Sequence, residues 1–90
     1  MDKATAGQIA DNKLQEFLKK DSNTIKKLLT DSEHEFITRN GIEYQVRVDA
    51  FYDDKKRNPS RLKVFVTVDD QKFWSTFAPL CRSDYYYITN

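Results

Sequence analysis

The middle of the chain alternates between apolar and polar residues. Every second residue is apolar over residues 42–50, and the same period returns over residues 62–69. Side chains with a period of two lie on opposite faces of a sheet, so both runs predict half-buried β-strands. A turn at residues 69–72 and a third run at residues 73–77 predict a further strand beside the second one.

A tight hairpin is predicted immediately before the first of these strands. Asn40-Gly41 is a strong hairpin signal, because both central residues of a type I′ turn need a positive φ. The turn places Arg39 opposite Ile42 and makes residues 35–39 an additional strand. The sequence thus predicts a four-stranded antiparallel meander whose neighbouring strands follow chain order.

Residues 7–31 are predicted to be helical. Their large apolar residues, except Ile9, fall on one stripe about 120° wide when they are stepped at the period of an α-helix. Asp21 lies in the middle of that stripe, where an unpaired carboxylate is costly to bury. Because Asp21, Ser22 and Asn23 are also good helix caps, we expect two short helices with a break there, and one locally distorted helix is the alternative.

These elements predict a single α+β domain. The helical segment packs on one face of an antiparallel sheet formed within residues 33–78. Residues 79–90 form a tail of strand-like composition, for which we expect either a fifth strand at the edge or an extended arm. The face predicted to meet the helices carries Ile37, Tyr44, Val46, Val48, Val64, Val66, Val68, Phe73 and Phe77.

The reverse face of the sheet carries the most informative residues. Its predicted aromatic residues are Phe36, Phe51, Phe65 and Trp74, and its predicted polar residues are Gln45, Arg47, Lys63, Thr67 and Lys72. An aromatic side chain buries about 150–250 Å², so this group exceeds the patch that a monomer usually exposes. We therefore expect this face to be covered by the tail at residues 85–88, by a second copy of the chain, or by a different ligand.

Two binding functions follow from that face. The leading hypothesis is a small interaction module that binds itself as a homodimer or binds another protein, with Trp74 as its anchor because tryptophan is enriched at hot spots. The alternative is a module for single-stranded nucleic acid, in which Trp74, Phe65 and Phe36 stack on bases while Arg47 and Lys63 contact phosphates. The 15 basic and 14 acidic residues give a net charge of +1, which predicts no bulk attraction to nucleic acid or to an anionic membrane.

A basic loop is the second candidate for contact with an anion. Its cations are Lys55, Lys56 and Arg57, in a polar segment at residues 53–60 that contains Pro59, and Arg61 directly after that segment. We assign it an auxiliary role, because Asp53 and Asp54 reduce its field and exposed loops are commonly charged simply to stay solvated.

Catalysis, metal binding and cofactor binding have little support in the sequence. His34 is the only histidine and Cys81 the only cysteine. A small enzyme that uses His34 is the last-ranked alternative, and we predict no metal and no cofactor. A single cysteine forms no internal disulfide, and neither a signal-peptide pattern at residues 1–12 nor an apolar run of about 20 residues occurs. These features predict a cytoplasmic protein that does not insert into a membrane.

Overall fold

The fold is an α+β arrangement of two helices and one antiparallel sheet. The computed structural model describes residues 2–70 and 79–88. Its elements in chain order are α1 (Lys3–Leu18), α2 (Ser22–Lys27), β1 (Glu33–Arg39), β2 (Ile42–Asp54), β3 (Asn58–Asp69) and β4 (Leu80–Tyr87). The strands lie in the order β1-β2-β3-β4, and each is antiparallel to its neighbour. The predicted fold class is confirmed.

The predicted break in the helical region lies at Asp21. The Asp21 carboxylate accepts a hydrogen bond from the backbone N–H of Thr24 at 2.9 Å and so caps α2. Hydrogen bonds from Thr24 also lower the pKa of Asp21. Because Asp21 is exposed at the break, its charge stays out of the apolar stripe in which one continuous helix would have placed it.

Ile9 corrects the predicted apolar stripe. It fell outside that stripe, yet it is only 5% exposed and belongs to the core. The stripe counted only large apolar residues, whereas α1 also buries Ala6 and Ala10. The buried face of α1 is therefore wider than the predicted stripe.

The hairpin between β1 and β2 is confirmed in turn type and register. Asn40 has φ 53° and Gly41 has φ 77°, the positive values that a type I′ turn requires. Arg39 lies opposite Ile42, as the sequence predicts. Local turn chemistry therefore sets the register of β1 against β2.

The hairpin between β2 and β3 has a shorter turn than predicted. Only residues 55–57 separate the two strands, whereas the sequence predicts a loop over residues 53–60. The register shifts between Tyr52 and Asp54, and Pro59 lies on β3 beside this irregularity. Strands tolerate proline at such places, so a polar composition that indicates a loop is accommodated inside a strand.

The fourth strand of the described sheet comes from the tail. β4 pairs with β3 and places Leu80 opposite Val68, the position that the sequence assigns to Phe73. The predicted strand at residues 73–77 lies outside the described residues. The Tyr86 hydroxyl donates a hydrogen bond to the backbone carbonyl of Lys20 at 2.7 Å, which ties β4 to the chain just after α1.

The core lies between the helical region and one face of the sheet. α1 packs across β3 and β4, and the described members of the predicted inner face are buried, except that Ile37 is only partly buried. The buried apolar residues are Ala6, Ile9, Ala10, Leu14, Phe17, Ile25, Leu28, Tyr44, Val46, Val48, Ala50, Leu62, Val64, Val66 and Val68. Within the described ranges, neither helix has the length and hydropathy to cross a membrane.

Candidate binding surface

The face of the sheet opposite the helices, which we call the outer face, contains the candidate site. Side chains alternate along each strand, so the strand registers determine which residues share this face. Its described residues are His34, Phe36 and Thr38 of β1, Glu43, Gln45, Arg47, Asp49 and Phe51 of β2, Arg61, Lys63, Phe65, Thr67 and Asp69 of β3, and Cys81, Ser83, Tyr85 and Tyr87 of β4. Trp74 and Lys72, which the sequence also assigns to this face, lie outside the described residues.

Aromatic side chains from three neighbouring strands meet on the outer face. The ring centroids of Phe51 and Phe65 lie 5.6 Å apart with an interplanar angle of 72°, the edge-to-face geometry that aromatic pairs prefer. Tyr85 projects from β4 directly opposite Lys63 of β3. We call Phe51, Phe65, Tyr85, Lys63 and Arg61 the aromatic–basic cluster.

The two cations of the cluster lie over its rings. Lys63 Nζ is 5.4 Å from the ring centroid of Phe65 and 5.6 Å from that of Tyr85. The Arg61 guanidinium is 4.9 Å from the centroid of Tyr85 and forms a salt bridge with Asp53. Cation–π attraction therefore favours this arrangement of Phe65 and Tyr85. Lys63 has no carboxylate partner among the residues that the structure describes.

Arg47 lies elsewhere on the outer face and is neutralised there. Its Nε is 2.9 Å from Oδ2 of Asp49, and its guanidinium donates a hydrogen bond to the Ser32 hydroxyl at 3.3 Å. Ser32 in turn donates to Asp49. These contacts form a closed polar network, so Arg47 differs from Lys63 in having a carboxylate partner.

Phe36 is the second large exposed phenylalanine of the outer face, and it lies far from the cluster. Phe36 on β1 is opposite Gln45 of β2, which is six residues before Phe51. At the rise of a β-strand, this separation is about 20 Å. Of the predicted site residues, the structure therefore brings Phe51, Phe65 and Lys63 together and leaves Phe36 and Arg47 apart.

Tyr85 and Tyr87 are surface residues whose place on the outer face the sequence analysis missed. They are 41% and 60% exposed, whereas residues 85–88 were predicted as one of three alternative covers for this face, beside a second copy and a different ligand. The signal was their spacing, because residues two apart in a strand share one face. Tyr86 between them faces the helical region instead.

The basic loop lies at the same end of the sheet as the aromatic–basic cluster. The N–H of Arg57 donates to Asp54 Oδ1 at 3.1 Å, and the Arg57 side chain is 90% exposed. Lys55 Nζ lies 5.2 Å from the ring centroid of Tyr52. Arg61 belongs to β3 and to the cluster rather than to the loop between the strands.

Two adjoining grooves lie between α1 and β1, on the inner side of the sheet. They enclose about 260 Å³ and about 440 Å³ and share Lys13, Glu16 and Glu35 in their walls. Lys13 Nζ lies 3.2 Å from Glu16 and 2.5 Å from Glu35. Burial opposes the charge on Lys13, but the hydrogen bonds that Lys13 donates to Glu35 and Glu16 outweigh it and raise its pKa. This largely buried cation of the grooves is therefore satisfied within the molecule.

His34 and Cys81 do not form a catalytic pair in this structure. Both are exposed and lie in one row across the outer face, in which His34 is opposite Arg47, Arg47 is opposite Thr67, and Thr67 is opposite Cys81. The two intervening strands separate them by about 14 Å, far beyond hydrogen-bond reach. Within the described ranges, no group of three or more acidic, histidine or cysteine side chains is placed to hold a metal ion.

The chain matches no family model, no curated protein and no solved structure. We therefore infer the function from the outer face itself.

Proposed function

We propose that this protein is a small protein-interaction module that forms a homodimer and contacts another protein through the outer face. The aromatic–basic cluster is the observation that supports this proposal, since it presents Phe51 at 56% exposure and Tyr85 at 41% exposure on a sheet face. Rigid aromatic residues at a surface are typical of protein-binding hot spots, because they bury a large area at a low cost in conformational entropy. Phe51 is the anchor that we assign within the described residues.

The geometry of the rings favours a protein partner over single-stranded nucleic acid. Bases need open ring faces on which to stack. Lys63 already lies over Phe65 and Tyr85, and Arg61 lies over Tyr85. The Phe51 and Phe65 rings are also nearly perpendicular and do not form a flat platform.

The charges of the outer face support the same choice. Arg47, which would contact phosphate in the nucleic-acid alternative, is held by Asp49, and Arg61 is held by Asp53. Lys63 has no carboxylate partner in the described part of the chain. A partner segment that places an apolar side chain on Phe51 and a carboxylate near Lys63 therefore complements the cluster. The proposal also places the module in the cytoplasm, which agrees with a single, exposed, free thiol at Cys81.

A capture experiment with matched variants tests this function. Wild type, Phe51→Ala and Tyr52→Ala are immobilised and exposed to native lysate of the source cells. Tyr52 is the next residue on β2, is 36% exposed, and faces away from the cluster. We expect a captured protein, other than the chain itself, that is retained by wild type and Tyr52→Ala and lost by Phe51→Ala, with circular dichroism unchanged in both variants. Equal capture by Phe51→Ala would contradict the proposal.

A titration with a labelled single-stranded oligonucleotide tests the alternative. We expect no binding at physiological salt. Binding that weakens steeply with salt and is lost in Phe51→Ala would instead favour nucleic acid as the ligand of the cluster.

A further inference from the structure

β1 is an edge strand with one side unpaired. In the described part of the chain β2 is its only neighbour in the sheet, and α1, which packs across β3 and β4, contacts β1 on the inner face through Lys13 and Glu35. Natural edge strands are usually protected by proline, by charged side chains, especially lysine, by a bulge or by a covering segment. β1 has no proline, lysine or bulge, since all seven of its residues pair with β2 in an unbroken register, and its charged residues Glu33, Glu35 and Arg39 include both signs. Its free edge is therefore suited to pairing with another strand.

The hairpin turn determines which backbone groups of β1 point to the free edge. In a two-residue turn the flanking residues, Arg39 and Ile42, form a hydrogen-bonded pair. Hydrogen-bonded and non-bonded pairs alternate along antiparallel strands. The N–H and C=O groups of His34, Phe36 and Thr38 therefore point away from β2.

We propose that β1 pairs antiparallel with β1 of a second copy, about a two-fold axis at Phe36. In this register Phe36 lies opposite Phe36 of the second copy, and His34 lies opposite Thr38. All the outward-pointing backbone groups then meet outward-pointing groups of the other copy. The inference rests on the homodimer of the proposed function and assigns the surface through which the two copies join.

Charge complementarity selects this register. It places Glu33 of each copy opposite Arg39 of the other, and both residues are exposed. Sliding the strands by two residues in one direction places Glu35 opposite its own counterpart, which is repulsive. Sliding them in the other direction brings Arg39 to Glu35, which Lys13 already holds at 2.5 Å, and leaves Glu33 without a partner.

The pairing also explains why a large apolar side chain, Phe36, is exposed on β1. This side chain is 57% exposed on an otherwise polar row of β1 and lies outside the aromatic–basic cluster. At the two-fold axis it meets an identical ring across the strand pair, an arrangement that stabilises antiparallel sheets. The two sheets become one continuous sheet, and their outer faces lie side by side with both clusters free to contact partners.

Disulfide trapping tests the register. In a Cys81→Ser background, Phe36→Cys should cross-link to a dimer under mild oxidation, because a bonded antiparallel pair has Cα atoms about 5.5 Å apart, within the range of disulfides. Thr38→Cys alone should remain uncross-linked, since Thr38 lies about 14 Å from its own counterpart. A mixture of Thr38→Cys and His34→Cys proteins should cross-link to each other.

Charge reversal in the protein that retains Cys81 gives a second test of the register. Glu33→Arg alone should weaken the dimer by about tenfold, and the double variant Glu33→Arg with Arg39→Glu should restore it. If the wild type is a dimer, but Phe36→Cys does not cross-link and the charge reversal has no effect, the β1 pairing is overturned and the homodimer stays in place. A wild type that sediments only as a monomer at high concentration would overturn both.

Discussion

Phe51 and Phe36 have almost the same exposure, 56% and 57%, and different surroundings. Phe51 packs edge-to-face on Phe65 beside a lysine that has no carboxylate partner in the described chain. Phe36 lies alone on an edge strand whose backbone is unpaired on one side. The comparison shows that the exposure of an aromatic residue does not identify its role. From the neighbouring rings, charges and backbone groups we propose a foreign partner at Phe51 and a second copy at Phe36.

Truncation of a core side chain beneath both regions should have the largest effect on the free energy of unfolding. Leu28 is 3% exposed, and Leu28→Ala should lower the free energy of unfolding by about 2–5 kcal/mol through lost burial and a cavity. Both the aromatic–basic cluster and the β1 edge should be impaired together. Urea denaturation measures the loss. Leu29, which is only partly buried, provides the control, and a Leu29→Ala effect as large as that of Leu28→Ala would contradict the packing.

Truncation of Phe51 should separate the two regions. Phe51→Ala should weaken binding of the captured partner by about 2 kcal/mol or more, since the variant removes the exposed anchor of the cluster. The dimer should be unchanged, because Phe51 lies about 20 Å from the proposed two-fold axis. Calorimetric titration with the purified partner measures the first effect and sedimentation the second.

Strain at the first turn should affect the β1 edge more than the cluster. Gly41 has φ 77° and open space around its Cα, so Gly41→Val should lower the free energy of unfolding by about 1–2 kcal/mol through backbone strain alone. Gly41→Asn is the control, because asparagine tolerates positive φ better. An unchanged melting temperature for Gly41→Val would mean that the turn has a different conformation.

Removal of the central cation of the cluster should have the smallest effect. Lys63→Met keeps the length and apolar stem of the side chain and removes its charge. The lost cation–π attraction to Phe65 and Tyr85 should cost about 0.5–1 kcal/mol of stability. Lys56→Met in the exposed loop should cost nothing measurable by the same denaturation experiment. Equal values for the two variants would mean that Lys63 does not interact with the rings.

The sequence predicts the turn and register of the β1–β2 hairpin, whereas it offers a strand in the tail only as one of two alternatives and does not predict that β4 pairs with β3. Asn40-Gly41 determines its register locally, since few other residues adopt two successive positive φ values at low cost. The pairing of β3 instead depends on a longer connection: the predicted turn at residues 69–72 would place Phe73 opposite Val68, whereas the structure has Leu80 there. Long-range pairing leaves no comparable local signal.

The candidate site was predictable only where alternation along a strand assigns side chains to one face. Phe51, Phe65 and Lys63 were assigned correctly to one face, because the alternation in β2 and β3 determines it. Tyr85 was missed because it reaches the cluster through β4. The cations over the rings are a further feature that no spacing in the sequence indicates.

Sedimentation velocity of two matched variants tests the central claim most directly, namely that the two exposed phenylalanines serve different contacts. Phe36→Asp and Phe51→Asp introduce the same charge at positions of nearly equal exposure. Phe36→Asp should dissociate the dimer by at least about tenfold, because it places two carboxylates opposite each other at the two-fold axis. Phe51→Asp should sediment as the wild-type dimer does. A dimer that persists in Phe36→Asp, or dissociates in Phe51→Asp, would contradict the division of roles between the β1 edge and the aromatic–basic cluster.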